Sequence, residues 1–173
     1  MQFLKIFPYG IHLALILNKG IDHELWQSAP IKEIKAMLKH VLLIDDEKTI
    51  LIAFKKLLEC PGVEVDTAET MEDAETLLDK RSYAAVIADL RLSGISGEEG
   101  LDVIRYVKYR YPESHVILIT AYGSPDVMKK AYSLGASHYF EKPVSTHVLK
   151  DALKSLGIVF KTVWDRGGVK NEP

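Results

Sequence analysis

With 173 residues, 47% hydrophobic and 27% charged, the chain suits one ordinary globular domain with some length to spare. A net charge of −2 leaves no basic field to hold nucleic acid by its phosphates, so no direct nucleic-acid partner is expected. The lone cysteine, Cys60, excludes an internal disulfide and fits a reducing, cytoplasmic setting.

Residues 1–38 lack the regular patterning of the rest of the chain and read as an N-terminal extension. Ile11 to Leu17 (IHLALIL) is apolar but far short of the ~20 residues that span a bilayer. Lys5 is a thin basic start with no small-residue cleavage site after it, so neither a signal peptide nor a membrane partner is expected. Ile31 to Lys39 (IKEIKAMLK) has helical spacing, and Met37 offers a second start just before the first strand. The favoured reading is an upstream extension with little role, native or not; the alternative is a helix that docks on the domain or on a second copy, the latter giving a homodimer.

From His40 a regular alternation begins. Val41 to Ile44 is a short apolar strand ending in Asp45 and Asp46. Glu47 to Glu59 carries Ile50, Leu51, Phe54, Leu57 and Leu58 on one helical face, stopped by Pro61 and Gly62. Val63 to Thr67 alternates like a strand near a sheet edge, and Thr70 caps a helix running to about Lys80. Tyr83 to Leu92 (YAAVIADLRL) holds a small and β-branched run, suited to a strand buried on both faces, and the run ends abruptly at Asp89. Gly94 to Gly100 is a glycine-rich loop, and Leu101 to Tyr111 is a helix ended by Pro112. His115 to Ile119 is a buried strand ending in Thr120, and Pro125 to Leu134 is a helix ended by Gly135. Ser137 to Glu141 is the last strand, followed by Lys142 and Pro143. Ser145 caps a final helix through about Phe160, and 161–173 form a flexible tail. Five strands alternating with five helices predict a parallel sheet with helices on both faces and right-handed crossovers, spanning residues 39–160.

Four strands end in groups capable of polar chemistry: Asp45 with Asp46, Asp89, Thr120 and Lys142. Parallel strands bring those ends to one rim, where open α/β sheets bind ligands. Three carboxylates in one place repel each other, and a divalent cation removes the problem. Mg²⁺ prefers hard oxygen donors and uses one or two carboxylates plus a phosphate. A solvent-facing carboxylate beside it can attack a phosphoryl group, giving an aspartyl phosphate. A Lys ammonium and a Thr hydroxyl then stabilise the charge on the phosphoryl oxygens. Taken singly, each group has a plainer reading: a helix-start acid pair, an Asx turn, a structural hydroxyl, a solvated lysine. The six histidines show no metal-ligand spacing, and His138 is expected on the surface. Tyr106, Tyr109 and Tyr111 read as core or surface cover rather than a base-stacking platform.

The segments VLLIDDE, VIADLRL, ILITAYG and YFEKP, in this order and at these spacings, resemble the receiver domain of two-component response regulators. The resemblance covers about His40 to Phe160. It implies the doubly wound flavodoxin-like sheet, order 2-1-3-4-5. It implies that Asp89 accepts a phosphoryl group from a sensor histidine kinase or phosphotransfer protein, and that no enzymatic turnover beyond its own phosphorylation and dephosphorylation occurs. It implies Mg²⁺ on Asp46, Asp89 and the Arg91 carbonyl, with Asp45 orienting the metal or acting through water. Thr120 would swing to the phosphoryl oxygen, Lys142 would pair with it, and Pro143 would follow a cis bond. Tyr139 matches the aromatic that turns inward as Thr120 moves, altering the surface near Val127 to Tyr132 and His147 to Leu153. Only about a dozen residues lie beyond Phe160, so the signal is expected to pass to a separate effector protein.

Two features depart from the family pattern. Ser93 stands where many receivers carry a proline, and the loop SGISGEEG is longer than usual. Arg91 and Tyr122, each two positions beyond a key group, are large and are expected to shield the acyl phosphate from water. The alternatives are a receiver-like interaction module that is never phosphorylated and an enzyme on the same fold. The acidic turn DDEKT would repel a flavin phosphate, and Arg91 stands where an aspartyl phosphatase carries its second Asp.

Overall fold

The computed structural model describes residues 38–92 and 99–160. Residues 1–37, 93–98 and 161–173 lie outside the described residues, and with them the expectations of an N-terminal extension, a longer glycine-rich loop and a flexible tail. Ten elements alternate strictly: β1 (Lys39–Ile44), α1 (Lys48–Leu58), β2 (Val63–Ala68), α2 (Met71–Lys80), β3 (Ala85–Asp89), α3 (Glu99–Arg110), β4 (His115–Thr120), α4 (Pro125–Ser133), β5 (His138–Glu141) and α5 (Thr146–Ser155). All neighbouring strand pairs are parallel and the sheet order is β2-β1-β3-β4-β5.

The two-residue period of the strands sorts the core into two layers. Leu42, Ile44, Val86, Ala88, Val116 and Leu118 face one side, under α2, α3 and α4. Val41, Leu43, Ala85, Ile87, Ile117 and Ile119 face the other, under α1 and α5. Each large aliphatic side chain buried this way contributes about 1.5–3 kcal/mol. β3 lies at the centre of the sheet with both faces covered, which explains a strand of small and β-branched residues with no polar alternation. β2 is an edge strand, and its half-exposed Glu64, Asp66 and Thr67 follow from that.

Helix starts follow local chemistry. Thr70, Ser124 and Ser145 each accept a backbone N–H three residues on, at 3.1–3.2 Å; such a cap contributes about 1 kcal/mol. Two helix boundaries differ from the sequence expectation. α5 ends at Ser155, because Gly157 takes φ +80° and Ile158 N–H turns back to Leu153 O at 3.0 Å. Ile158 and Phe160 then fold into the α1–α5 layer instead of continuing the helix. α3 begins at Glu99, so Gly100, read as loop, is helical. His138 is half-buried rather than exposed, because α5 covers it: its ring stacks on Phe140 with centroids 5.8 Å apart, and Nε2 lies 3.2 Å from Ser155 Oγ. Tyr106 and Tyr111 pack against the core, whereas Tyr109 is 87% exposed.

Candidate functional site

Register places the polar groups. Ile44 pairs with Ala88 and Asp89 with Ile119, so Asp45 and Asp46 leave β1 beside the end of β3. Thr120 pairs with Glu141, and Lys142 N–H bonds to Thr120 O at 2.7 Å, which brings Lys142 to the same rim. The helical crossovers run back along the two faces of the sheet, so every strand delivers its carboxyl end to one edge.

Asp45, Asp46 and Asp89 each offer a carboxylate oxygen within 4.8 Å of the others. Lys142 Nζ donates to Asp89 Oδ2 at 2.8 Å and to Asp45 Oδ2 at 3.0 Å. The remaining oxygens accept backbone N–H groups: Glu47 to Asp45 Oδ1 at 2.9 Å, Leu90 to Asp89 Oδ1 at 2.6 Å. Asp45 is buried, Asp89 half-buried and Asp46 open to solvent. Behind them an apolar recess is lined by Leu43, Leu51, Phe54, Ile87 and Ile119. Burial pulls the Lys142 ammonium down, but its hydrogen bonds to Asp89 and Asp45 and their charges outweigh that, leaving its pKa raised. Lysine charge is therefore locked in at neutral pH.

One ammonium against three carboxylates leaves a net deficit that a divalent cation matches, and every donor is a hard oxygen. The residues present fit Mg²⁺.

Asp45 is not the cap of α1: the N-cap residue is Glu47, whose side chain makes no capping bond. Thr120 is fully buried and its hydroxyl accepts Tyr122 N–H at 2.9 Å. The Lys142–Pro143 peptide is cis. Tyr139 is turned into the core, 9% exposed. Burial raises its phenol pKa, as does the charge of Glu141, and its hydroxyl has no hydrogen-bond partner among the described residues. At the mouth, the Arg91 guanidinium lies 3.6 Å above the Tyr122 ring. Position alone marks both residues, and only the fold stacks one on the other.

Two glycines escaped the sequence reading. A Cβ on Gly100 would strike the Asp89 carbonyl oxygen and lie 2.7 Å from Leu90 Cα and Leu118 Cδ1. A Cβ on Gly123 would lie 2.5 Å from the Tyr139 hydroxyl. Nothing local in the chain marks either contact, since both partners are distant in sequence or reached only through the sheet.

Residues 41–154 match the family model of the response regulator receiver domain. The alginate biosynthesis transcriptional regulatory protein AlgB of Pseudomonas putida is 38% identical over 111 residues, which cover 64% of this chain and 24% of AlgB. This chain thus spans about a quarter of the length of that relative. Among solved structures, a response regulator receiver domain from Clostridium thermocellum is 35% identical with a TM-score of 0.62, covering 69% of this chain and 94% of its own. A CheY-like receiver domain from Methanospirillum hungatei is 26% identical with a TM-score of 0.62 and the same coverages. Five parallel strands in this order, an acidic rim closed by one lysine, and a family match over most of the chain converge: this protein belongs to the response regulator receiver domains of two-component signalling.

Proposed function

We propose that Asp89 is a phosphoacceptor and that residues 39–160 form the receiver that carries it. The observation that supports this most is the bridge from Lys142 to both Asp89 and Asp45 within a cluster of three carboxylates. In this reading a remaining lone pair on an Asp89 carboxylate oxygen attacks phosphorus. The bond from phosphorus to the histidine nitrogen of a sensor kinase or phosphotransfer protein breaks, and its electron pair stays on the imidazole.

Asp46, Asp89 and the Arg91 carbonyl would hold Mg²⁺, with Asp45 orienting the set; the ion, when bound, offsets negative charge on the phosphoryl oxygens. Lys142 keeps its charge and follows the new phosphoryl group as a counter-ion. Thr120 exchanges its bond from Tyr122 N–H for one to a phosphoryl oxygen. Tyr139 and the face made by α4, β5 and α5 respond, and an effector reads that face.

Incubating the full chain with Mg²⁺ and acetyl phosphate, followed by intact mass measurement, tests the reading. The expected result is one added phosphoryl group on the wild type and none on Asp89→Ala. An unmodified wild type that also fails to bind beryllofluoride with Mg²⁺ would point instead to an interaction module that is never phosphorylated.

A further inference from the structure

Gly123 lies three residues past Thr120 in the β4–α4 loop, and the backbone does not require a glycine there. The described glycines with positive φ are Gly62, Gly135 and Gly157. Any L-residue could adopt the backbone of Gly123 without left-handed strain. Space is the constraint. A Cβ at this position would lie 2.5 Å from the Tyr139 hydroxyl and 2.6 Å from Glu141 Cδ, and would strike Glu141 Oε1. The two crowding groups come from β5, two residues apart on the same face of the strand. They differ in freedom. Glu141 is exposed and its carboxylate can swing into solvent at little cost. The Tyr139 ring is buried, and its hydroxyl has no hydrogen-bond partner among the described residues. A rigid ring with two torsions can clear a new methyl only by leaving the pocket.

We propose that Gly123 is a positioning residue of the tyrosine switch: the space left by its missing side chain is the seat of the Tyr139 hydroxyl, so any side chain at 123 drives the ring outward. The inference deepens the proposed relay through Tyr139 and rests on it for its meaning. Its geometry, however, is independent of phosphorylation.

The test uses the full chain labelled with 3-fluorotyrosine and observed by ¹⁹F NMR. The Tyr139 and Tyr109 resonances are assigned by their loss in Tyr139→Phe and Tyr109→Phe. Exposure is read as the H₂O/D₂O solvent isotope shift. Tyr109, 87% exposed, is the internal standard for a solvated ring. In the wild type the Tyr139 shift is expected well below that of Tyr109; in Gly123→Ala it is expected to rise to match it. A Tyr139 shift that stays low in Gly123→Ala overturns the proposal.

A double-mutant cycle on thermal midpoints provides the second reading, and stands even if Gly123→Ala folds poorly. Removing the hydroxyl in Tyr139→Phe clears the seat, so Gly123→Ala is expected to lower the midpoint less in the Tyr139→Phe background than in the wild type. Equal lowering in both backgrounds overturns the proposal. Neither experiment involves a phosphodonor, so failed phosphorylation of Asp89 leaves this result intact. Normal phosphorylation with an unmoved Tyr139 sinks only the role of Gly123.

Discussion

Lys142 is the residue on which the electrostatics of the rim turn. Its ammonium is shared between Asp45 and Asp89, whose other oxygens are already held by backbone N–H groups. Lys142→Met leaves two nearly buried carboxylates without their counter-charge and is expected to lower stability by about 1–3 kcal/mol in urea melts. Mg²⁺ should recover part of that loss, and an unchanged midpoint would show that the bridge contributes nothing. A lysine whose folded pKa is raised contributes stability that is fully present below its ordinary value and disappears as pH climbs through the raised one. The gap between wild type and Lys142→Met should therefore be flat around neutral pH and close only above the usual lysine range.

The Arg91–Tyr122 stack is a second single-residue matter. A cation over an exposed ring contributes only about 0.5–1 kcal/mol. Its proposed value is positional, since Arg91 and Tyr122 each lie two positions beyond a group of the rim, Asp89 and Thr120. Arg91→Ala and Tyr122→Ala are each expected to shorten the phosphoryl half-life, monitored by intact mass after the donor is removed. The double variant should be no faster than the faster single variant if the two side chains act as one cover. Half-lives equal to wild type would rule out the shield.

At the scale of elements, the junction between β3 and α3 holds in place the strand that ends in the proposed phosphoacceptor. Gly100 N–H bonds to Leu90 O at 2.8 Å, and the first turn of α3 sits directly on the backbone of Asp89 and Leu90. Gly100→Ala would press a methyl group into backbone atoms, which cannot swing away. It should cost about 1–3 kcal/mol and also slow phosphorylation from acetyl phosphate, because relief requires β3 and α3 to separate. Thr70→Ala is the control. It removes the cap of α2 at a cost of about 1 kcal/mol and should leave the phosphorylation rate untouched. A slowed Thr70→Ala would mean that general loosening, and not the junction, limits the chemistry.

For the whole molecule, one rim gathers residues from four separate strand ends, so binding there should stiffen the entire sheet. Mg²⁺ with beryllofluoride is expected to raise the thermal midpoint, by an amount equivalent to about 2.7 kcal/mol at a hundredfold excess over Kd. Asp89→Ala should abolish the rise. An equal rise in that variant would place the anion elsewhere on the protein.

The sequence alone determined the alternation of strands and helices, the parallel sheet and the polar strand ends. These rest on local patterns: two-residue and helical periodicities, capping hydroxyls, and carboxylates abutting apolar runs. Recognition of the family came from motifs with fixed spacing. Only the tertiary structure decided that Lys142 spans Asp45 and Asp89, that Arg91 lies on Tyr122, and that α5 stops at Ser155 so that Phe160 can turn inward. It also separated two glycines that look alike on paper, one pressed against the backbone of Asp89 and one against the hydroxyl of Tyr139. Periodicity reports which face a side chain takes. Which groups meet across a crossover depends on strand register and helix docking, and those come from the packing of the whole core.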